Sequence, residues 1–310
     1  MISKEITFSK RAFFKKLLFL QIFVLILLIN TCKIDKAHNL SIMTFNIRYG
    51  LADDGINKWE FRRELLFQTL KKYDADLIGL QEALQFQIDE IKQALPQYEA
   101  IGVGRDDGQA AGEFSAILYK KAVFSMDTSG TFWFSSTPEI SGSMDWGNTY
   151  PRICTWGRFK IQKGGKYLYL YNVHLDHISQ PSREKSVAFL SQRIKQRLFM
   201  NPVFVTGDFN AAENNPAIRF LKSETALDLD GQIVKNPLLL MDSFRLTTAE
   251  KDSVGTFHGF RGFRNGDKID YVFVQPGIKV NSAKIIHDHL GDIFPSDHYP
   301  VIANVSLGKN

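Results

Sequence analysis

Eight polar residues occur at the ends of separate hydrophobic segments, where folding alone does not require them. They are Asn46, Glu82, His174, Asp208, Asn210, Asp270, Asp297 and His298. Each one alone has an ordinary structural explanation, as a turn residue, a helix cap or a surface residue. Several buried charges together are costly unless they are paired or bound to a metal. The set therefore predicts one shared polar site.

The hydrophobic pattern predicts the elements that must position these side chains. Alternating or continuous apolar runs predict strands at 40–47, 76–80, 98–103, 114–119, 123–134, 154–162, 167–175, 202–206, 269–274, 278–286 and 300–306. Helical spacing predicts helices at 59–73, 84–95, 181–199 and 215–222, and a strand or turn is expected near 238–244. Hairpins alternate with strand–helix units, which favours two packed sheets with helices outside them over a parallel barrel.

Seven segments follow one another in an order that identifies a family resemblance. They are TFNIRYG, DLIGLQE, GEFSAILY, NVHLDH, TGDFN, IDYVF and PSDHYPV. In order and content they resemble the endonuclease/exonuclease/phosphatase superfamily, which includes deoxyribonuclease I, and the details resemble an exported bacterial branch. The resemblance runs from about residue 40 to the C-terminus. It implies the α/β (α+β) four-layer sandwich of deoxyribonuclease I, with two packed mixed β-sheets flanked by helices.

The resemblance also implies a role for each polar residue. Asn46, Glu82 and Asp297 match the family's metal site, which implies Mg²⁺, with Mn²⁺ as a substitute. His298 with Asp270, and His174 with Glu113, match two catalytic pairs on opposite sides of the scissile phosphate. Asp208 and Asn210 would position the water and the phosphate, and whether His298 or Asp208 accepts the proton stays open. Arg152, with Asn210 and His174, is expected to bind the substrate phosphate; the alternative for Arg152 is a structural salt bridge.

One position departs from the family pattern. Some family nucleases carry an acidic residue two places after the first-strand Asn, where this chain has Arg48. A single Mg²⁺ is therefore expected. Four aromatic residues are candidates to line a substrate cleft, although aromatic side chains usually belong to the core. They are Trp133, Trp146, Phe257 and Phe260.

The N-terminal segment has the features of an export signal. A cluster of four basic residues, Lys10, Arg11, Lys15 and Lys16, precedes an apolar run, residues 17–29, that is short for a membrane span. Residues 1–31 are thus predicted to be a signal peptide, with an uncleaved anchor as the alternative. Cys32 lies where a lipoprotein signal would be cut and lipidated, residues 32–39 form a short linker, and 40–310 form the enzymatic domain. The expected location is periplasmic, at the outer membrane or cell surface as a lipoprotein, or secreted.

Charge narrows the substrate classes. The chain has 38 Lys or Arg residues and 33 Asp or Glu residues. Residues 1–31 contain five of the basic and one of the acidic residues, so 33 basic and 32 acidic residues remain beyond the predicted signal peptide, a net charge of +1. Tight nucleic acid binding usually needs a stronger basic surface. The expected substrate is a phosphate ester of nucleic acid, of a lipid head group or of a small molecule, and no obligate protein partner is evident. Two alternative functions are a sphingomyelinase-like phospholipid phosphodiesterase and an inactive binding lipoprotein on the same fold. A zinc protease is disfavoured because the sequence contains no HExxH motif.

Overall fold

The structure is a computed structural model that describes residues 38–308. The predicted signal peptide, Cys32 and the first part of the linker lie outside these residues. Within them, no helix combines the length and apolar character that a membrane crossing requires.

Fourteen strands are present in the described chain. They are β1 His38–Asn46, β2 Leu77–Gln81, β3 Tyr98–Ile101, β4 Ile117–Lys120, β5 Phe124–Trp133, β6 Ile153–Ile161, β7 Tyr167–His174, β8 Val203–Asp208, β9 Leu227–Leu229, β10 Gln232–Val234, β11 Met241–Asp242, β12 Asp270–Val274, β13 Lys279–Ile285 and β14 Val301–Leu307. The α-helices of the same region are α1 Trp59–Tyr73, α2 Gln85–Ala94, α3 Gln180–Lys195 and α4 Pro216–Leu221.

The helix bounds follow local capping. The Ser179 hydroxyl accepts the Ser182 N–H at the start of α3, and Asn215 caps α4 through the Ala217 N–H. Both helices have a proline in the first turn, where its missing N–H costs nothing. The predicted end of α3 at 199 was too long: the helix stops at Lys195, and Arg197 Nη1 donates to the buried Ile194 carbonyl 2.9 Å away.

Two six-stranded sheets share one plan. The first has the order β13-β14-β1-β2-β4-β3 and the second the order β11-β12-β8-β7-β6-β5. Each contains one parallel pair, β1 with β2 and β7 with β8, and antiparallel neighbours on both sides of it. The predicted mixed sheets are therefore confirmed.

Apolar side chains fill three layers. Leu40, Ile42, Phe159, Leu170 and Phe204 belong to a buried cluster made by both sheets. A second cluster joins the outer face of the first sheet to α1 and α2, and a third joins the second sheet to α3 and α4. The order helix, sheet, sheet, helix is the four-layer sandwich that the sequence predicts.

A buried polar bridge joins the two sheets beneath their shared edge. Asn172 on β7 donates from Nδ2 to the Leu80 and Ala116 carbonyls at 2.8 and 2.9 Å. Its Oδ1 accepts from Gln81 Nε2 at 2.7 Å and from Thr206 Oγ1 at 3.0 Å. Buried amides keep such bonds because an unpaired one would be costly, so this bridge holds the sheets in one relative position.

Some elements differ from the sequence prediction. The strand expected at 114–119 begins only at Ile117, and the hairpin of β9 and β10 was not predicted. The hairpin had a usable signal, because Asp230 and Gly231 both have positive φ, the conformation that an Asp-Gly turn provides.

Candidate active site

Strand register brings the predicted polar residues to one edge of the sandwich. Asn46 and Glu82 stand where the parallel pair of the first sheet ends, and His174 and Asp208 are paired at the end of the second. Asp270 begins β12 opposite Asp208, and Asp297 and His298 precede β14. Residues distant in sequence thus converge because the two parallel pairs end at the same edge.

These residues surround a cleft of about 610 Å³. Eight of the ten predicted site residues line it: Glu82, Glu113, Arg152, His174, Asp208, Asn210, Asp297 and His298. The other two, Asn46 and Asp270, lie fully buried behind them. The cleft is in the size range of small-molecule sites.

His298 and Asp270 form a buried pair. His298 Nδ1 donates to Asp270 Oδ2 at 2.9 Å, and both side chains are almost fully buried. Burial opposes the imidazolium, but the carboxylates of Asp270 and Asp208 overcome it and raise the pKa of His298 to about 10. His298 is therefore cationic at neutral pH, with Nε2 directed toward the cleft.

Asp208 lies between the two imidazoles. Its Oδ2 is 3.8 Å from His298 Nε2 and 3.7 Å from His174 Nε2, and it accepts from Asn46 Nδ2 at 3.0 Å. Burial and the repulsion of Asp270 raise the pKa of Asp208 to about 7. A carboxyl with this pKa can take a proton near neutral pH.

Glu82 is the carboxylate best suited to hold a cation. Burial alone would raise its pKa, but hydrogen bonds from Asn46 and from the Tyr49 N–H, together with nearby His298, keep the pKa below its ordinary value. One ligand atom from each of Glu82, Asp208 and His298 lies within 4.8 Å of the other two. Because His298 is engaged by Asp270, the hard oxygens of Glu82 and Asp208 are the donors that fit Mg²⁺.

The other two predicted metal ligands are used differently. Asn46 Nδ2 donates to both Glu82 and Asp208, while its Oδ1 accepts the Arg48 N–H at 3.0 Å, so its amide nitrogen faces the carboxylates. Asp297 Oδ1 accepts from Ser296 Oγ, and its Oδ2 is 3.8 Å from Arg48 Nε. The structure thus brings both residues to the site, with Arg48 between Glu82 and Asp297.

His174 and Glu113, the second predicted pair, lie close together at the cleft but make no hydrogen bond with each other. Their nearest atoms are 3.8 Å apart, and Glu113 instead accepts from Arg105 Nη1 at 2.7 Å. Burial raises the pKa of Glu113 to about 7. Burial and the positive charges of Arg152 and Arg105 hold the pKa of His174 well below its usual range, so His174 is neutral.

Arg152 forms a structural salt bridge and also lies at the cleft, where phosphate binding stays a prediction. Its Nε lies 3.4 Å from Asp176 and its Nη2 donates to His177 Nδ1 at 2.8 Å, yet the residue also lines the cleft. Asn210 Nδ2 is held by the Leu175 carbonyl, and its own N–H donates to Asp208. A positive φ of 47° places Asn210 at the turn after β8, where an Asn pays little strain.

Of the four aromatic candidates only Phe257 lines the cleft, with its ring centroid 5.0 Å from that of His298. Trp133 is instead buried and donates to the Arg105 carbonyl. Sequence reasoning missed Arg105 and Tyr150, which line the opposite wall with the guanidinium 5.0 Å from the Tyr150 ring. Arg105 lies within a glycine-rich loop that has no sequence motif, so only the fold reveals it.

Comparisons with known proteins agree with this geometry. The model of the endonuclease/exonuclease/phosphatase family matches residues 43–298. The chain is similar to an endonuclease/exonuclease/phosphatase from Bacteroides vulgatus, with 32% identity over 87% of this chain and 100% of that chain and a TM-score of 0.79. It is also similar to the Bacteroides thetaiotaomicron mannosyl-6-phosphatase, with 30% identity over 86% of this chain and 99% of that chain and a TM-score of 0.76. An uncharacterized Acanthamoeba polyphaga mimivirus protein is 27% identical over 181 residues, which are 55% of this chain and 67% of that protein.

Proposed function

This chain belongs to the endonuclease/exonuclease/phosphatase family, and on that premise we propose that it is a Mg²⁺-dependent phosphate-ester hydrolase that acts outside the cytoplasm. The observation that carries the proposal is the position of Asp208 Oδ2, 3.7 and 3.8 Å from the Nε2 atoms of His174 and His298 and beside Glu82. A proton acceptor, a fixed cation and an oxygen donor for a metal thus face one point in the cleft.

The side chains divide the chemistry by their charge states. Asp208, whose pKa is raised, would accept the proton of the attacking water. The His298 imidazolium would stabilise negative charge on the phosphate, because Asp270 keeps it protonated. Neutral His174 and the Arg152 guanidinium would donate hydrogen bonds to phosphate oxygens from the other wall.

Glu82 would hold Mg²⁺, while Asp208, which lies within reach of the same point, would stay free to accept the proton of the water. The ion would supply Lewis-acid stabilisation of the charge that develops on the phosphate. The Asp270–His298 pair argues against the inactive binding lipoprotein, because a binding protein has no need to keep a buried imidazolium poised beside a carboxyl.

We favour a compact phosphomonoester as the substrate. The cleft volume of about 610 Å³ suits a small ligand. The similar Bacteroides thetaiotaomicron protein is a mannosyl-6-phosphatase, which supports the same class. A nucleic acid or a sphingomyelin-like lipid would need a longer surface beyond the cleft.

A substrate panel tests the proposal. Purified protein is assayed with p-nitrophenyl phosphate, mannose 6-phosphate, bis-p-nitrophenyl phosphate, sphingomyelin, RNA and plasmid DNA, each with Mg²⁺, with Mn²⁺ and with EDTA. Hydrolysis of the monoesters that requires the metal is expected. Activity that survives EDTA would contradict the metal assignment, and preferential cleavage of a diester or of sphingomyelin would contradict the substrate class.

Export and lipidation are tested on the full chain in bacterial cells. The apolar run at residues 17–29 followed by Cys32 supports both proposals. Metabolic labelling with a radioactive or clickable fatty acid is expected to mark the wild type but not Cys32→Ser. Recovery of unprocessed protein in the cytoplasm would contradict export, and processed but unlabelled protein would contradict lipidation alone.

A further inference from the structure

Arg48 occupies a tightly determined position at the metal end of the cleft. Its φ of 62° is rare for a residue with a long side chain. Its N–H donates to Asn46 Oδ1 at 3.0 Å, and its carbonyl accepts from Gln87 Nε2 at 3.1 Å and from Arg62 Nη2 at 3.3 Å. A strained backbone that three bonds hold in place suggests that the position of this side chain matters.

The guanidinium is clamped on one side and open on the other. Asp54 accepts from Nε at 3.0 Å and from Nη2 at 2.9 Å, a bidentate pair that fixes the plane of the group. Within residues 38–308, Nη1 makes no hydrogen bond, and the Glu82 carboxylate lies 4.0 Å from it. The side chain is 32% exposed and lines the cleft, so its unpaired N–H groups face the space where a ligand would sit.

The charges around this end favour a cation in the position of Arg48. The carboxylates that meet here are Asp54, Glu82, Asp208, Asp270 and Asp297, and the cations are Arg48, Arg62 and His298. Carboxyl groups thus outnumber cations here. Burial raises the pKa of Asp208 to about 7 and raises that of Asp297, which makes the excess negative charge smaller than the count of groups, and a divalent ion would offset it. Without Arg48 one further negative charge would remain, and it would repel an incoming phosphate dianion.

We propose that Arg48 is a phosphate-binding residue, a permanent cation beside Glu82 that contacts a substrate phosphate oxygen through Nη1. The proposal rests on the proposed function of the cleft. Arg suits the position because one edge of its planar fork can hold Asp54 while the other reaches the ligand. Lysine has a single charged nitrogen and cannot do both well.

The test measures binding of inorganic phosphate, so that it does not depend on turnover. Isothermal titration in excess Mg²⁺ compares the wild type with Arg48→Met, Arg48→Lys and Asp54→Asn, and Arg63→Met is the matched control. Arg63 is also a surface arginine paired with a carboxylate, that of Glu90, but it lies outside the cleft. Circular dichroism and thermal melting establish that each variant is folded.

Arg48→Met is expected to weaken phosphate binding about 10- to 100-fold, the range for losing a charged hydrogen bond, while Arg63→Met leaves it unchanged. Asp54→Asn and Arg48→Lys should fall between these. Mn²⁺ binding, followed by electron paramagnetic resonance, should keep one ion per chain, with affinity in Arg48→Met equal to or higher than in the wild type, because a neighbouring cation has been removed.

Three results would overturn the proposal. The first is a phosphate affinity of Arg48→Met within about 3-fold of the wild type, a difference under 1 kcal/mol. The second is a parallel loss of Mn²⁺ affinity, which would mean that Arg48 acts through the metal, and the third is no phosphate binding by the wild type at millimolar concentration. Failure of the hydrolase assignment looks different. In that case the substrate panel is inactive, whereas phosphate binding still distinguishes Arg48→Met from Arg63→Met.

Discussion

The change Asp270→Asn tests whether a buried carboxylate keeps His298 charged. It replaces the group 2.9 Å from His298 Nδ1 with an uncharged amide of the same shape. The pKa of His298 is about 10 because of Asp270 first and Asp208 second, against the opposing effect of burial. Without Asp270 the pKa should return toward the ordinary value of about 6.5.

The size of the effect follows from the protonated fraction. In the wild type His298 is almost fully protonated at pH 8, because its pKa is about 10. With a pKa near 6.5, only about 3% would be protonated at pH 8, but about 90% at pH 5.5. The ratio of variant to wild-type activity should therefore fall by at least about 30-fold between pH 5.5 and pH 8. Removing Asp270 also lowers the pKa of Asp208, which favours the variant at low pH and steepens the fall, whereas loss of the imidazole's orientation adds a factor that does not depend on pH.

The assay is kcat/KM for p-nitrophenyl phosphate from pH 5.5 to pH 9 in excess Mg²⁺. Asp127→Asn is the control, since Asp127 pairs with Arg158 on the distant strands β5 and β6. The control should follow the wild-type profile at every pH. A variant-to-wild-type ratio for Asp270→Asn that stays constant with pH would refute the idea that Asp270 acts by holding the proton on His298.

Three other predictions concern His298, Lys268 and His258. His298→Ala should lower turnover about 10²- to 10⁴-fold while circular dichroism still shows a folded chain; near wild-type turnover would remove His298 from the mechanism. Its melting temperature should fall, because buried Asp270 loses its charged partner. Lys268 is fully buried, and its Nζ lies 2.6 Å from Asp242. Lys268→Met should therefore lower the free energy of unfolding, measured in urea, by about 3–5 kcal/mol, because Asp242 is left buried without its partner. Adding Asp242→Asn should restore part of this lost stability. Equal stability of the wild type and Lys268→Met would mean that the buried pair contributes nothing. Burial lowers the pKa of His258 to about 3, so as the pH falls the unfolded chain binds a proton before the folded chain does. The free energy of unfolding should therefore decrease below about pH 6.5, by about 2 kcal/mol at pH 5. His258→Phe should remove this decrease, and the same pH dependence in the variant and the wild type would contradict the assignment to His258.

Much of the secondary structure could be predicted from the sequence, because the spacing of apolar residues within a segment determines whether it forms a helix or a strand. Helix α1 was predicted at its observed bounds, since apolar positions recur at helical spacing from residue 59 to 73. Burial of both faces gives β8 and β12 continuous apolar runs that pattern alone can identify. The hairpin of β9 and β10 was missed because its two strands are short and mostly exposed, so they lack a clear alternating pattern.

The sequence also predicted which residues lie at the candidate site, but not which of them are hydrogen-bond partners. Segments such as TGDFN and PSDHYPV indicate which residues converge, because motif order reflects the order of strand ends. The partner of Glu113 proved to be Arg105, which no motif marks, and Asn46 directs its nitrogen rather than its oxygen at the carboxylates. Such contacts depend on loop paths and rotamers that short-range pattern does not encode.

Residue types alone determined that this chain builds strands ending in carboxylates, amides and imidazoles, and that Arg48 stands where an acid was expected. Tertiary structure decided the charges: His298 is cationic, His174 is neutral and Asp208 takes a raised pKa because of what surrounds each group when water is excluded. A pKa depends on distance and burial in three dimensions, and neither is a property of sequence spacing.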